Sequence, residues 1–118
     1  MNAPTLPRQG EIWWTQFGPA RGSEIRKTRP ALVLSNNALH KHPLGLVMVV
    51  PLTKTRTGSS LHVEVRMRQG NIERVGYALP EQMRSCSRTR LTRRIARVSP
   101  AVLEATRYRV ALLLRDDL

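Results

Sequence analysis

Arg29 stands directly before Pro30 and a short apolar run, and Thr53 directly after another, so two chemically capable side chains sit where a loop meets an apolar segment. A guanidinium and a hydroxyl placed in this way can grip a phosphate, the planar fork donating two parallel N–H bonds and the hydroxyl a third. RNA needs little more to be cut. Its own 2′-OH is an internal nucleophile, and a protein has only to orient it, stabilise charge on the phosphorane and help the 5′-oxygen leave. Many strand ends carry such residues, so placement alone makes Arg29 and Thr53 candidates and no more. Other chemistries are poorly supplied. Hard-metal nucleases need clustered carboxylates, whereas the 8 acids are scattered at positions 11, 24, 64, 73, 81, 104, 116 and 117. No metal site is visible in that pattern. Paired-imidazole catalysis would draw on His40, His42 and His62; the first two flank Lys41 ahead of Pro43 and read as solvated loop residues, and His62 reads as surface. Cys86 is alone, which excludes an intramolecular disulfide and a cysteine zinc site; it reads as a small buried or half-buried residue.

The elements that must position these residues are short. Residues 11–17 are rich in aromatic and β-branched types and read as a strand closed by Gly18 and Pro19. A polar loop follows to Thr28, then an apolar strand over residues 30–35 that Asn36 and Asn37 end, then a similar run over 46–50 before Pro51. Residues 53–60 form a second polar, basic loop, carrying Lys54 and Arg56. Leu61, Val63 and Val65 alternate with His62, Glu64 and Arg66, the period of a half-buried strand. Residues 76–79 and 82–86 read as short strands on either side of Pro80 and Glu81, where proline argues against an unbroken central strand. Ser99 followed by Pro100 starts a terminal helix, with Leu103, Thr106, Val110, Leu113 and Leu114 on one face. Several strands and one closing helix predict a mainly β fold with terminal α, a small barrel.

At 118 residues, 41% hydrophobic and 24% charged, the chain suits one domain, with residues 1–9 as a loose polar leader and 10–118 as the folded unit. Twenty basic residues against 8 acidic give a net charge of +12, and 17 of the 20 are Arg. A GC-rich genome explains Arg over Lys but not basic over acidic, so the excess points to a polyanion, nucleic acid first. No apolar run is long enough to span a membrane and residues 1–9 hold no hydrophobic signal segment, so the expected location is cytoplasmic.

Ordered blocks along the chain resemble a known family. Gly10, Glu11, Ile12, Trp14 and Phe17, then Gly22, Ser23 and Glu24, then residues 29–35, then Val50, Pro51 and Thr53 follow the successive blocks of the MazF/PemK toxin endoribonucleases. Gly76, Ala78, Leu79, Glu81, Gln82, Arg84 and Ser85 resemble its later strand block, and Arg97, Val98 and Ser99 its entry to the final helix. The similarity covers residues 9–114. It implies an SH3-like small β-barrel shared with the gyrase-poison toxins, and a homodimer in a toxin-antitoxin system. It further implies ribosome-independent cleavage of single-stranded RNA (mRNA, tRNA or rRNA) at short sequences without metal or other cofactor, leaving 2′,3′-cyclic phosphate and 5′-OH ends. The expected partner is a cognate antitoxin with an acidic tail. By motif position the catalytic Arg falls on Arg29, the catalytic Thr on Thr53 and an acidic site position on Glu24, while Gln82 and Arg84 match the strand lining the RNA groove; the basic Lys54, Arg56 and Arg88 are expected to bind RNA with them.

A guanidinium is a poor general base, so Arg29 fits a phosphorane stabiliser and proton donor, and the base is left unidentified. Glu11 stands where the family often has Asp, and Pro80 and Glu81 where a small residue and Asp are common. The dense run Arg84, Arg88, Arg90, Arg93, Arg94 and Arg97 is expected to track RNA phosphates. Two alternatives stay open at this level: a non-catalytic basic RNA- or DNA-binding protein, and a gyrase-poison toxin of the same fold. The first explains the charge but not the ordered blocks; the second centres on a C-terminal Trp, whereas both Trp here lie in the first strand.

Overall fold

The computed structural model describes residues 5–18 and 27–116. Within them lie the strands β1 (Glu11–Gln16), β2 (Thr28–Val33), β3 (Leu46–Thr53), β4 (Val63–Gln69), β5 (Ile72–Ala78), β6 (Arg84–Ser87) and β7 (Leu91–Arg97). Helix α1 (Asn37–Lys41) joins β2 to β3, and α2 (Pro100–Leu113) follows β7. Every ladder is antiparallel, in the order β4-β5-β3-β2-β1-β7, with β6 paired to the first half of β3. The sheet curls until β4 lies against β7. The result is a half-barrel of SH3-like form, mainly β with a terminal helix, as the pattern of elements predicts.

Side-chain alternation sets the layers. Along β4, buried Val63, Val65 and Met67 alternate with exposed Glu64, Arg66 and Arg68, the period of a strand with one wet face. The central strands are buried on both sides. Ile12, Leu32, Val50 and Leu52 join Val63, Val65, Met67 and Ala78 in one core, against which Val102, Ala105 and Val110 of α2 pack. Trp13, Phe17, Ala31, Val33, Val47, Val49, Cys86 and Leu91 form a second. Cys86 is buried as expected, and that burial pushes its thiol above the ordinary range.

Helix α2 begins at the expected cap: the Ser99 hydroxyl oxygen accepts the Val102 N–H at 3.2 Å, with Pro100 in the first turn. Thr106 is fully buried and donates to the Val102 carbonyl at 2.8 Å. The expected apolar face does not continue to the end. Leu113 is 46% and Leu114 76% exposed, because the helix runs past the sheet that covers Val110.

One strand carried no expectation, and two local expectations need correction. Residues 91–97 form a strand: its main chain is held by β1 across two register shifts, and its outward Arg93 and Arg94 carry no apolar period to announce it. Residues 37–41, expected as loop, form a helical turn capped by Asn36, whose side chain accepts the Leu39 N–H at 2.9 Å. His40, expected to be solvated, is 1% exposed. Its Nδ1–H donates to the Pro7 carbonyl at 2.7 Å and its Nε2 accepts the Ser35 hydroxyl at 2.6 Å, a tautomer assigned because a carbonyl can only accept. Burial lowers the pKa of this ring, outweighing the opposing effects of the Pro7 carbonyl and Glu11. The same bond anchors the described end of the polar leader, where Pro7 is buried and Gln9 Nε2 donates to the Leu34 carbonyl at 2.8 Å.

Candidate active site

Thr53 is the last residue of β3 and lies opposite Tyr77 of β5. Gly76 allows that close approach: a Cβ there would stand 3.4 Å from the Thr53 carbonyl oxygen. Thr53 Oγ1 accepts the Thr55 N–H at 3.2 Å, so the hydroxyl hydrogen remains to be donated outward. The local cap and an outward donor are therefore compatible in one side chain.

Arg29 lies on β2, opposite Thr15 of β1 on one side. On the other side β2 pairs with β3 through Ala31 and Pro51. That ladder ends at this pair, and Arg29 lies two residues before Ala31 and Thr53 two residues after Pro51, so both stand at the same end of it, where β3 passes to β5. Both are half-buried, and the two-residue period keeps them on the face that also carries Ala31 and Pro51. The loop between β1 and β2 is tied where it is described: Phe17 N–H donates to the Lys27 carbonyl at 2.9 Å and Lys27 N–H to the Gly18 carbonyl at 3.1 Å. Glu24 lies outside the described residues.

Gln82 closes a short 3-10 turn, Pro80–Gln82, and Arg84 opens β6 opposite Val49. Arg84 shares the face of Val49, Pro51 and Thr53. Its guanidinium lies 5.5 Å from the centre of the Phe17 ring and donates to the Phe17 carbonyl at 3.3 Å. Lys54 and Arg56 are exposed in the loop that leaves Thr53. Arg29, Thr53, Gln82, Arg84, Lys54 and Arg56 thus gather around one end of β3.

Arg88 does not join them. Its N–H donates to the Gly45 carbonyl, at the opposite end of β3 from Thr53; that strand has 8 residues, so the separation is roughly 26 Å. Nor is the Arg run one phosphate-tracking face. Arg88 donates to the His40 carbonyl at 2.6 Å, Arg90 to the Gln16 carbonyl at 3.0 Å and Arg94 to the Glu11 carboxylate at 3.1 Å, so each holds a neighbouring element in place. Strand alternation and the turn after β6 scatter the rest.

Three residues beside the site were read otherwise or not at all. Tyr77, the half-buried aromatic opposite Thr53, offers a face on which a base can stack. Its signal in the sequence was no more than a Tyr within the Gly76-to-Leu79 strand. His62 Nε2 and Glu81 Oε2 are hydrogen-bonded at 2.8 Å, and the imidazole, read as surface, has a side chain only 11% exposed. Nothing local could reveal that pair, because 19 residues separate its members.

Residues 8–114 match the family described as PemK-like, MazF-like toxin of type II toxin-antitoxin system. A Mycobacterium tuberculosis relative named Endoribonuclease MazF9 is 35% identical over 114 residues, covering 83% of this chain and 87% of its own. The crystal structure of MazF from Deinococcus radiodurans has a TM-score of 0.78 at 30% identity, covering 94% of this chain and 98% of that one. The MazE-MazF complex from the same organism matches with a TM-score of 0.74 at 27% identity, covering 94% of this chain and 97% of the matched one.

Proposed function

The chain belongs to the PemK-like, MazF-like toxins of type II toxin-antitoxin systems, and from that premise we propose that it is an endoribonuclease that cuts single-stranded RNA at short sequences, independently of the ribosome. The observation that carries this reading is the placement of Arg29 and Thr53 at the same end of the β2–β3 ladder, beside an aromatic and several cations. The RNA 2′-oxygen attacks its own phosphorus; Arg29 receives the phosphorane charge on its fork, and the outward Thr53 hydroxyl donates to a non-bridging oxygen. The products are a 2′,3′-cyclic phosphate and a 5′-OH. Because the nucleophile is built into the substrate, no metal or other cofactor has to generate one. Glu24 completes the site as its acidic residue. Lys54, Arg56, Gln82 and Arg84 hold phosphates nearby, and Arg88 meets the strand only several nucleotides away. The catalytic unit is residues 10–118, acting in the cytoplasm on mRNA, tRNA or rRNA; among the described residues no helix is long and apolar enough to cross a membrane.

Its regulator is an antitoxin with an acidic tail that covers the same cations, a reading supported by the MazE-MazF complex among the matched structures. The test is one experiment. Purified protein with mixed-sequence single-stranded RNA in EDTA is expected to cut, the cutting to weaken steeply with added salt, and an acidic antitoxin to suppress it in competition with RNA. Retardation of the RNA without cutting favours a non-catalytic binder and overturns the enzyme.

The working unit is a homodimer. Leu113 and Leu114, 46% and 76% exposed, give α2 an apolar end that its own sheet leaves uncovered, whereas Val110 packs inward. Sedimentation at micromolar concentration is expected to show the dimer; monomer alone refutes it.

A further inference from the structure

Acceptance of the 2′-OH proton is the one step that neither Arg29 nor Thr53 can perform: a guanidinium has no acceptor, and a neutral hydroxyl is too weak a base to take the proton of another hydroxyl. The loop leaving Thr53 supplies an imidazole in the required state. His62 Nε2 lies 2.8 Å from Glu81 Oε2, and its Nδ1 lies 2.7 Å from Thr57 Oγ1. A carboxylate can only accept, so the network assigns the ring proton to Nε2 and leaves Nδ1 with a bare lone pair that receives the Thr57 hydroxyl hydrogen. Thr57 Oγ1 in turn accepts the Ser59 N–H at 3.3 Å. A carboxylate that fixes the tautomer and stabilises the imidazolium, with a hydroxyl at the opposite nitrogen, is the arrangement of a general base.

Register puts this group near the reacting end of β3. His62 immediately precedes β4, where Val63 lies opposite Ala78 and Glu64 opposite Tyr77, itself opposite Thr53. Val63 and Val65 point into the core, so the alternation continued by one residue sets His62 on the face of Glu64, Tyr77 and Thr53; Glu64 is the residue level with Thr53, two strand spacings away, and His62 stands two residues further along that line, roughly 12 Å from Thr53. Glu81 adjoins Gln82 in the turn beside the same strand end. The other two imidazoles lie elsewhere: His40 is 1% exposed within α1, bonded to the Pro7 carbonyl, and His42 follows α1, its Nδ1 accepting the Leu44 N–H at 3.1 Å.

We propose that His62, oriented by Glu81, is the general base of RNA cleavage, its Nδ1 taking the 2′-OH proton once the ribose hydroxyl replaces that of Thr57. This rests on the ribonuclease reading above. As the proton passes to Nδ1, the O2′ electron pair forms the O2′–P bond. The P–O5′ bond breaks with its pair on O5′, which takes a proton from solvent, and the imidazolium returns its extra proton to solvent. Glu81 is a positioning residue in this step. The charged group in contact with the ring is Glu81 from the 3-10 turn; Glu64 lies two residues along on the same face, Lys54 and Arg56 stand in the loop that leads to His62, and Arg109 of α2 reaches that loop, its Nε donating to the Ser60 carbonyl at 3.1 Å.

The test compares wild type with His62→Gln, His62→Ala and Glu81→Gln for kcat between pH 5 and 9, and for affinity towards an RNA with 2′-deoxyribose at the cut site. His62→Gln is expected to lower kcat by about 100-fold or more while affinity for the uncleavable RNA stays within about threefold. The acid limb of the kcat profile, where a protonated base loses activity, disappears with it. Added imidazole restores part of the rate of His62→Ala. Glu81→Gln lowers kcat by about tenfold while affinity for the uncleavable RNA stays within about threefold, because the ring loses the carboxylate that orients it. If His62→Gln cuts at the wild-type kcat, or if kcat falls only in step with Tm while the acid limb survives, His62 is not the base. A wild-type protein that binds the analogue yet cuts no RNA overturns the ribonuclease reading and this inference with it.

Discussion

Arg29→Ala is expected to lower the maximal rate of RNA cleavage by about 100- to 1000-fold with little change in Tm. A pentacoordinate phosphorane carries charge that the ground-state diester does not, so a donor aimed at it acts mainly in the transition state. Loss of one such donor costs about 2.7 to 4 kcal/mol. Arg29→Lys should fail almost as badly, since a point charge cannot reproduce two parallel N–H bonds from a planar fork. Thr53→Val should lose a comparable factor, because it removes the one donor that the bond from Thr55 N–H leaves pointing outward, whereas Thr53→Ser keeps both the cap and the donor and should retain most of the rate. Single-turnover cleavage at saturating RNA, with Tm as the control, reads these effects directly. If Arg29→Ala raises the RNA concentration required and leaves the maximal rate untouched, Arg29 is a binding residue and the proposed roles are wrong.

Glu11→Ala should be the most destabilising single change among the charged residues, by about 1–3 kcal/mol in urea unfolding, the cost of leaving a buried donor unsatisfied. Glu11 is 1% exposed, and its carboxylate accepts the Arg8 N–H at 2.7 Å, Trp13 Nε1–H at 3.2 Å and an Arg94 N–H at 3.1 Å. Removing it leaves the buried indole N–H without its acceptor. The Arg94 arm matters less, since that side chain is 63% exposed and its charge is screened by solvent. Desolvation by burial alone would raise the Glu11 pKa; the bonds from Arg8, Arg94 and Trp13 outweigh it and hold the carboxyl below its ordinary value. A carboxylate whose folded pKa is depressed contributes stability that is present above its unfolded pKa and is lost as pH falls through the folded one. Wild type should therefore lose stability in acid, from about pH 5 downwards, with a steeper slope than Glu11→Ala, and the two curves should converge at the lowest pH. Parallel curves would show that Glu11 is not the titrating group. The same contact makes Arg94 a structural residue, so Arg94→Ala is expected to lower Tm rather than loosen a single phosphate contact.

Much of this protein is written locally. Residues 11–17 contain β1, and the expected start of α2 at Ser99 and Pro100 coincides with the observed cap, because strand periods and caps involve neighbours within a few residues. The apolar runs at 30–35 and 46–50 also became strands, shifted to Thr28–Val33 and extended to Thr53, since hydrogen bonding to a partner strand, not composition, decides where a ladder stops. Strand β7 escaped notice for the converse reason. Its outward Arg residues mask any apolar alternation, and its place as the partner of β1 depends on a segment some 80 residues earlier.

The candidate site divides in the same way. Arg29 and Thr53 were legible because each sits where polar loop meets apolar strand, and the ordered family blocks gave them roles. Their shared place at one end of the β2–β3 ladder depends on the register between two strands, which one residue of slip would send to opposite faces. His40 and His62, one read as a solvated loop residue and the other as the outward residue of a strand, diverged entirely: one is sealed beneath Pro7, the other is held between Thr57 and Glu81. Residue types and short-range spacing determined the elements, the basic character and the chemical vocabulary of the chain. Which Arg faces solvent, which holds a carbonyl and which imidazole gains a carboxylate were decided only when distant strands came together, because a charge is neutralised by what lies across from it in space.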